Sequence, residues 1–301
     1  MHEDIRAALD DLLSPRTPTG RVLVTGWFSF PDGEVTAGDA LAQRTVSRAL
    51  DHLGVGHDTA WSPVFAPGEL SLESALPGRY EQVLFVCGPV HGEQVAGLHQ
   101  RYAACRRLAV GVSVVDPGSP AVTGFHRVLP RDAPGRGSLP DLATAAGVGP
   151  GRPLVGVALT MGQGEYGARR RHTEAGEAVL RWLARKDCAR VEADTRLARD
   201  DWRLCRSADQ YLSLVGKLDV MVTNRLHGLV LSLRMGVPVL ALDPVRGGAK
   251  VTAQADVLGW PALLACDDIS DRALDGWWEW CLSPAGSAAA RRLGAFMVRN
   301  A

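Results

Sequence analysis

Residues 218–250 read LDVMVTNRLHGLVLSLRMGVPVLALDPVRGGAK, and this stretch decides the fold. An apolar run at 218–223 precedes a segment, 225–235, in which apolar side chains recur every three or four residues. A second apolar run follows at 238–243. Short apolar runs are typical of strands that are buried on both faces, and the spacing between them is typical of an amphipathic helix. The pattern therefore predicts a strand, a helix and a second, parallel strand.

The same alternation extends through most of the chain. Strands are predicted at 21–25, 82–88, 108–114, 152–160 and 189–194. Helices are predicted at 38–54, 92–106, 173–185 and 207–217, and helical packing is expected of 274–280 and 285–299. Because residues 132–153 are rich in proline and glycine, they resemble a linker. We predict an α/β fold of two Rossmann-like domains, residues 1–148 and 151–301, each with a parallel sheet flanked by helices.

Composition excludes several classes of protein. The chain has 301 residues, of which 46% are hydrophobic and 22% charged, as in globular proteins rather than disordered ones. Lys+Arg and Asp+Glu both number 33, so the basic excess of a nucleic-acid-binding protein is missing. No run approaches the roughly 20 apolar residues of a membrane span, and residues 1–13 lack the order of a secretory signal. Six scattered cysteines without a C-x-x-C pair predict reduced thiols, which favours a cytoplasmic protein.

The first group of chemically interesting residues follows the predicted strand 218–223. Asn224 is a good N-cap, so the helix is predicted to begin at Arg225, with His227 in its first turn. Backbone N–H groups are unpaired there, and the helix dipole favours an anion. Gly228 removes a side chain where a ligand could approach the backbone. An arginine or histidine early in a helix is also often only a surface residue.

A second group follows the strand that ends at Asp243. A right-handed crossover brings the carboxyl ends of the two strands to the same edge of the sheet, where open α/β folds bind ligands. Side chains and amides from both junctions could converge there on one anion: those of Arg225, His227, Arg246, Gly247, Gly248 and Lys250. The alternative is that the Gly-Gly pair is an ordinary turn.

The string TNRLHG, followed by an apolar helix, GVPV, an Asp-Pro turn and a lysine, resembles the signature of the polysaccharide pyruvyl transferase family. The first half is similar in order, with Gly38–Asp39 at a helix start, Cys87–Gly88 at a strand end and Arg131–Asp132 later. The resemblance implies two Rossmann-like domains facing across a cleft, as in GT-B glycosyltransferases. It also implies transfer of the enolpyruvyl group of phosphoenolpyruvate onto two hydroxyls of a sugar, closed as a ketal.

The resemblance also implies roles for individual residues. Arg225, Leu226 and His227 would hold phosphoenolpyruvate as co-substrate without a further cofactor, and Lys250 matches the family's downstream basic position. The imidazole of His227 is the best candidate for proton transfer, because an imidazole titrates near neutral pH; it could equally be only a phosphate ligand. Thr160 stands where many members carry an arginine. Arg169, Arg170 or Arg171 could replace that charge, unless ARRRH is simply a solvated helix start.

In the first domain, expected to be the acceptor side, Asp39 and His91 are candidates for contact with an acceptor hydroxyl. Asp39 could act as a base or be only an N-cap, and His91 could also be an ordinary cap. No metal-binding spacing, H-E-x-x-H, Walker loop or G-x-S-x-G elbow is present, which disfavours metalloproteases, nucleoside triphosphatases and serine hydrolases. Two rival functions remain open. One is a GT-B-like glycosyltransferase that uses a sugar nucleotide, and the other is a family member that binds an anion or a partner without turnover.

Overall fold

The computed structural model describes residues 7–8, 11, 20–134 and 140–300. Contacts divide the chain between Gly149 and Pro150, and the two parts are called unit 1 and unit 2 below. The division falls inside the Pro/Gly-rich stretch 132–153, of which residues 135–139 lie outside the described residues. Most of the acidic opening segment, 1–13, lies outside them as well.

Unit 1 contains a five-stranded parallel sheet in the order β2-β1-β3-β4-β5. The strands are β1 (Arg21–Thr25), β2 (His57–Thr59), β3 (Tyr80–Val86), β4 (Arg106–Ser113) and β5 (Arg127–Asp132). The α-helices are α1 (Ala37–His52), α2 (Gly92–Arg101) and α3 (Pro120–Thr123). Both faces of the sheet carry apolar clusters, because the central strands β1, β3 and β4 are buried on both sides.

Unit 2 repeats this arrangement with its own parallel sheet, in the order β10-β9-β8-β6-β7. The strands are β6 (Leu154–Ala158), β7 (Ala189–Glu192), β8 (Val220–Thr223), β9 (Val239–Asp243) and β10 (Leu263–Ala265). The α-helices are α4 (His172–Ala184), α5 (Ala208–Val215), α6 (Leu226–Arg234), α7 (Lys250–Leu258), α8 (Asp271–Leu282) and α9 (Pro284–Arg299). None of the described helices is long and apolar enough to cross a membrane.

The predicted fold class, α/β with parallel sheets flanked by helices, is confirmed. The sequence patterns missed strands β2, β5 and β10, and these three lie at sheet edges. An edge strand is buried less completely than a central one, so its sequence lacks a continuous apolar run. Strand β5 even contains Pro130, which an edge position tolerates.

Both sheets reverse their strand order beside the first strand of the unit. In unit 1 this switch point lies between β1 and β3, and in unit 2 it lies between β6 and β8. The loops that leave the carboxyl ends of two such strands depart in opposite directions and leave a crevice, which is where open α/β sheets bind ligands. Two edges of the protein are therefore positioned for ligands, one in each unit.

Candidate functional site

The β8–α6 junction differs by one residue from the sequence prediction. Helix α6 begins at Leu226, which is half-buried, and Arg225 is its N-cap, in an extended conformation with φ −108° and ψ 135°. The prediction that Asn224 caps the helix is wrong, because its side-chain amide is used elsewhere. Asn224 Oδ1 accepts from the Thr160 N–H at 2.8 Å, and Nδ2 donates to the Thr160 carbonyl at 2.8 Å. Asn224 thus fastens together the two strand ends at the switch point.

Gly228 is required for packing within the protein, so its prediction as a point of ligand approach is wrong. A Cβ atom at Gly228 would lie 2.3 Å from the Thr223 hydroxyl oxygen. That hydroxyl donates to the Ala158 carbonyl at 2.7 Å and accepts from the Arg225 N–H at 3.0 Å. The missing side chain lets the first turn of α6 rest on the end of β8, which sets the position of Arg225.

We expect Gly228→Ala to lower the free energy of unfolding by about 1–3 kcal/mol, the usual effect of an overpacked core. Urea unfolding followed by circular dichroism measures this. Gly97→Ala, inside α2, is the matched control: nothing lies within 4 Å of the added Cβ, so the helix should gain up to about 1 kcal/mol. Equal stability of Gly228→Ala and the wild type would contradict the packing role.

Arg225 is paired with an acid that the sequence analysis did not single out. Its Nη1 lies 3.1 Å from Oδ1 of Asp194, whose side chain is only 8% exposed. Arg196 binds Oδ2 of the same carboxylate at 2.8 Å. Two guanidinium groups therefore share one carboxylate, which leaves one positive charge beside the switch point. Asp194 follows β7, which pairs with β6, so strand order would have pointed to it.

His227 lies in the first turn of α6, where its side chain is exposed. It is two residues beyond the N-cap position of Arg225, so both belong to the same helix start. Among the described residues, no hydrogen bond to the imidazole is found. The ring is therefore accessible to a ligand at this edge of the sheet, and its predicted role stays a prediction.

The β9–α7 junction is built around the carboxylate of Asp243, which is fully buried. Its Oδ2 accepts from the backbone N–H groups of Ala249 (2.7 Å) and Thr252 (2.9 Å) and from the Thr252 hydroxyl (2.8 Å). Its Oδ1 accepts from the Val245 N–H at 3.1 Å. The start of α7, which attracts an anion through the helix dipole, is therefore occupied by the protein's own carboxylate.

This arrangement changes the interpretation of the glycine pair. Gly247 and Gly248 have φ values of +80° and +78°, which glycine adopts readily, so the pair makes the turn into α7. The Gly248 N–H donates to the Val245 carbonyl at 2.9 Å, so the prediction that this amide binds a ligand is wrong. Among the residues that the structure describes, the Gly247 N–H has no such bond.

Residues 159–171, here called the arginine loop, connect the two junctions. Thr160, at one end, is held by Asn224 beside β8. At the other end, the Arg246 N–H donates to the Arg169 carbonyl at 2.9 Å, and the Arg171 N–H donates to the Pro244 carbonyl at 2.8 Å. Strands β8 and β9 are parallel neighbours. Both basic junctions therefore lie at one sheet edge, as the sequence analysis expects.

The cations at this edge are not equally available. Arg171 donates to the carbonyls of Ala168 and Arg170, so it closes its own loop. Arg246 lies 3.4 Å from Asp267. In the described ranges, no ion pair involves Arg169, Arg170 or Lys250. These side chains can therefore meet an external anion without first leaving an acidic partner.

Lys250 belongs to a small stack of rings beneath the arginine loop. Its Nζ lies 5.9 Å from the centre of the Tyr166 ring, which is 6.3 Å from the ring of His172 in a stacked orientation. His172 is fully buried, with Nε2 lying 3.2 Å from Gln163 Oε1 and Nδ1 without a partner in the described part of the chain. Burial lowers the pKa of His172, and the charges of Arg170 and Lys250 act in the same direction.

This pKa shift predicts a pH dependence of stability. Because the folded state favours neutral His172, the unfolded chain binds the proton more readily, and the free energy of unfolding should fall as the pH drops below about 6.5. His172→Phe should flatten that part of the curve. His99, whose pKa burial also lowers, still contributes in both proteins. Urea unfolding across about pH 5 to 8 tests this: the curves should run parallel above about pH 7, and equal slopes below it would contradict the assignment.

Asp39, in unit 1, is the third helical residue of α1 rather than its N-cap. Thr36 is the N-cap: its hydroxyl accepts from the Asp39 N–H at 3.1 Å, and Oδ2 of Asp39 accepts from the Thr36 hydroxyl at 2.8 Å and from its N–H at 3.2 Å. The reciprocal bonds form a capping box. Asp39 also lines a cavity at the β1–β3 switch point, so its structural role does not remove it from the site.

His91 is the N-cap residue of α2, but its side chain makes no capping hydrogen bond. The ring is exposed and lies 5.4 Å from the indole of Trp27, which lines the same cavity as Asp39. His91 thus lies beside this cavity, with only its contact to Trp27 to indicate a role.

Sequence comparison adds a family to this geometry. Residues 173–244 match the polysaccharide pyruvyl transferases. The resemblance is thereby confirmed over this range, called the pyruvyl transferase segment below. It contains Asp194, Arg225, His227 and Asp243, whereas Lys250 lies six residues beyond it. No curated protein sequence matches the chain significantly.

Solved structures with a distant likeness include three proteins whose names are known. They are the glycosyltransferase SnogD from Streptomyces nogalater (16% identity, TM-score 0.31, 93% of this chain and 95% of that one), the spinosyn forosaminyltransferase SpnP (15%, 0.34, 92% and 94%) and UDP-GlcNAc 2-epimerase from Methanocaldococcus jannaschii (9%, 0.32, 93% and 100%). No function of this chain follows from them.

Proposed function

We propose that the protein is a pyruvyl transferase that moves the enolpyruvyl group of phosphoenolpyruvate onto two hydroxyls of a carbohydrate or similar small molecule. The product is a cyclic ketal, and inorganic phosphate is released. The observation that carries the proposal is the position of Arg225. It stands inside the pyruvyl transferase segment, at the switch point of the second sheet, with His227 exposed beside it.

The charges around Arg225 support a small, strongly anionic donor. Phosphoenolpyruvate carries a phosphate and a carboxylate, so two cationic groups are needed to hold both ends. Arg225 shares the Asp194 carboxylate with Arg196, and its remaining N–H groups are free to form a planar pair with an oxyanion. Lys250 and the exposed Arg169 lie at the same sheet edge and supply the second cationic end.

The reaction balances with these groups alone. A proton adds to the methylene carbon, and the first acceptor hydroxyl forms a bond to C2 as it loses its own proton. The C2–O bond to phosphate then breaks, with the electron pair leaving on the phosphate. The second hydroxyl bonds to C2 and gives its proton to the phosphate. Positive charge develops at C2 while negative charge develops on the leaving group, which the arginine and lysine stabilise.

His227 is the residue that we propose for proton transfer to the methylene carbon. An imidazole exchanges a proton near neutral pH, and this one is exposed at the same helix start as Arg225. Asp39 is proposed to take the proton of an acceptor hydroxyl. No cofactor beyond phosphoenolpyruvate enters the proposal.

The test measures inorganic phosphate released from phosphoenolpyruvate in the presence of methyl glycosides that carry vicinal or 1,3-diols, with product mass determined by mass spectrometry. Acceptor-dependent phosphate release with a ketal product is expected. Thermal shifts with phosphoenolpyruvate, uridine diphosphate and guanosine diphosphate separate the rivals. Stabilisation by a diphosphate alone would favour a glycosyltransferase. Stabilisation by phosphoenolpyruvate without turnover on any acceptor would favour a non-catalytic binding protein.

A further inference from the structure

Unit 1 contains a cavity of about 380 Å³ at the carboxyl ends of β1 and β3. This is the switch point of the first sheet, and the volume is at the lower end of that of sites for small organic ligands. It is a site for a single ring or a short chain rather than for a large planar cofactor. Its walls indicate which kind of ligand it accepts.

One wall is the indole of Trp27, which is held in place from three sides. Its Nε1 donates to the Pro89 carbonyl at 2.6 Å, and the Phe30 ring packs edge-on at 5.4 Å. Gly88 has a φ of +72°, and a Cβ there would lie 2.4 Å from Trp27 Cδ1. The missing side chain at Gly88 thus makes room for the indole. A fixed aromatic face of this kind packs against the C–H groups of a ligand with little loss of entropy.

Cys87 shows that the backbone of this wall is strained. It has a φ of +65°, a conformation that residues other than glycine rarely adopt and that often occurs at functional sites. Burial raises the pKa of its thiol to about 11, so the group is protonated at neutral pH. The thiol also accepts a contact from Arg131 at 3.7 Å. Cys87 therefore shapes the cavity and is not a nucleophile in it.

The charges of the cavity are predominantly acidic. Arg131 is its one lining cation among the described residues, and Asp141 binds it at 2.6 Å, with the Ser113 hydroxyl on its other nitrogen at 2.6 Å. Glu34 and Asp39 add two further carboxylates. Asp39 is only 9% exposed, and while its Oδ2 belongs to the capping box, its Oδ1 has no partner in the described ranges. A buried oxygen thus remains for a donor from outside the protein.

Free carboxylate oxygens accept hydrogen bonds from hydroxyls and repel anions. This separates the cavity from the basic edge of unit 2, where phosphoenolpyruvate is proposed to bind. We infer that the unit 1 cavity binds a neutral, hydroxyl-rich glycosyl ring, with the ring's C–H face on Trp27 and its hydroxyls donating to Asp39 and Glu34. The inference rests on the proposed function for its biological meaning, because the ring would be the acceptor of the ketal.

The test uses saturation-transfer NMR on the full chain without phosphoenolpyruvate. The probes are methyl β-D-glucopyranoside and methyl β-D-galactopyranoside, with the ionised methyl β-D-glucuronide as their anionic counterpart. We expect at least one neutral glycoside to bind at least about tenfold more tightly than the glucuronide. Glu34→Gln combined with Asp39→Asn should reduce that preference to less than about threefold, because both acids become neutral while their oxygens remain acceptors. Asp51→Asn, at the other end of α1 and outside the cavity, should leave it unchanged.

Two results would overturn the inference: no binding of either neutral glycoside, or binding with a preference that the double variant leaves at the wild-type value. Glu34→Gln alone keeps the test valid if the loss of the capping acid unfolds the double variant, because Glu34 is exposed. Glycoside binding without any phosphate release from phosphoenolpyruvate would remove the proposed function and leave the cavity assignment intact. Phosphoenolpyruvate binding without glycoside binding would do the reverse.

Discussion

Arg225→Ala is expected to lower kcat/KM for phosphate release from phosphoenolpyruvate by about 10²–10³-fold, the usual effect of removing one group that stabilises a developing anion. The guanidinium is the charged group fastened most directly to the second switch point, through the Thr223 hydroxyl on its backbone N–H and Asp194 on its side chain. The fold should survive, because Arg196 still pairs with Asp194. Phosphate-release kinetics and thermal unfolding of the same samples measure both quantities.

Arg225→Lys and Arg234→Ala complete this experiment. Lysine keeps the charge beside Asp194 but loses the planar fork, so we expect activity between those of the wild type and Arg225→Ala. Arg234 ends the same helix, far along α6 from the junction, and its loss should leave activity near the wild-type value. Wild-type turnover by Arg225→Ala would show that the donor binds elsewhere.

Asp243→Ala is expected to lower the free energy of unfolding by about 3 kcal/mol or more. The substitution leaves the buried N–H groups of Ala249 and Thr252 without an acceptor at the start of α7. Breaking a buried, charged hydrogen-bond network costs roughly 3–5 kcal/mol, which exceeds the loss from an exposed helix cap. Because α7 begins at Lys250, we also expect a higher KM for phosphoenolpyruvate at temperatures where the variant is folded.

Urea unfolding at neutral pH measures this difference, and Ser270→Ala is the comparison. Ser270 caps α8 by accepting from the Ala273 N–H at 3.3 Å near the surface, so its loss should cost only about 1 kcal/mol. Asp243→Asn keeps an acceptor oxygen and should lie between the two. An Asp243→Ala variant no less stable than Ser270→Ala would contradict the proposed organisation of this junction.

The sequence alone predicted those parts of the fold that depend on local pattern. The central strands are continuous apolar runs, because a strand covered on both faces has no polar side, and residues 218–243 showed this together with the intervening helical period. The position of Arg225 and His227 at a helix start after a buried strand, and the family of residues 173–244, were likewise available from the sequence. Edge strands such as β2 were missed, since they lack that pattern.

Only the tertiary structure decided which groups those residues meet. Asn224 was interpreted as a cap because caps are local, but its amide binds Thr160, which is 64 residues away. The pairing of Arg225 with Asp194 and the filling of the α7 start by Asp243 likewise depend on strand order and on turns of the chain. Gly228 shows the same limit, since a missing side chain accommodates a ligand and a neighbouring threonine equally well. Periodicity records how much of a segment is buried, whereas partners separated along the chain are brought together only when the sheet closes.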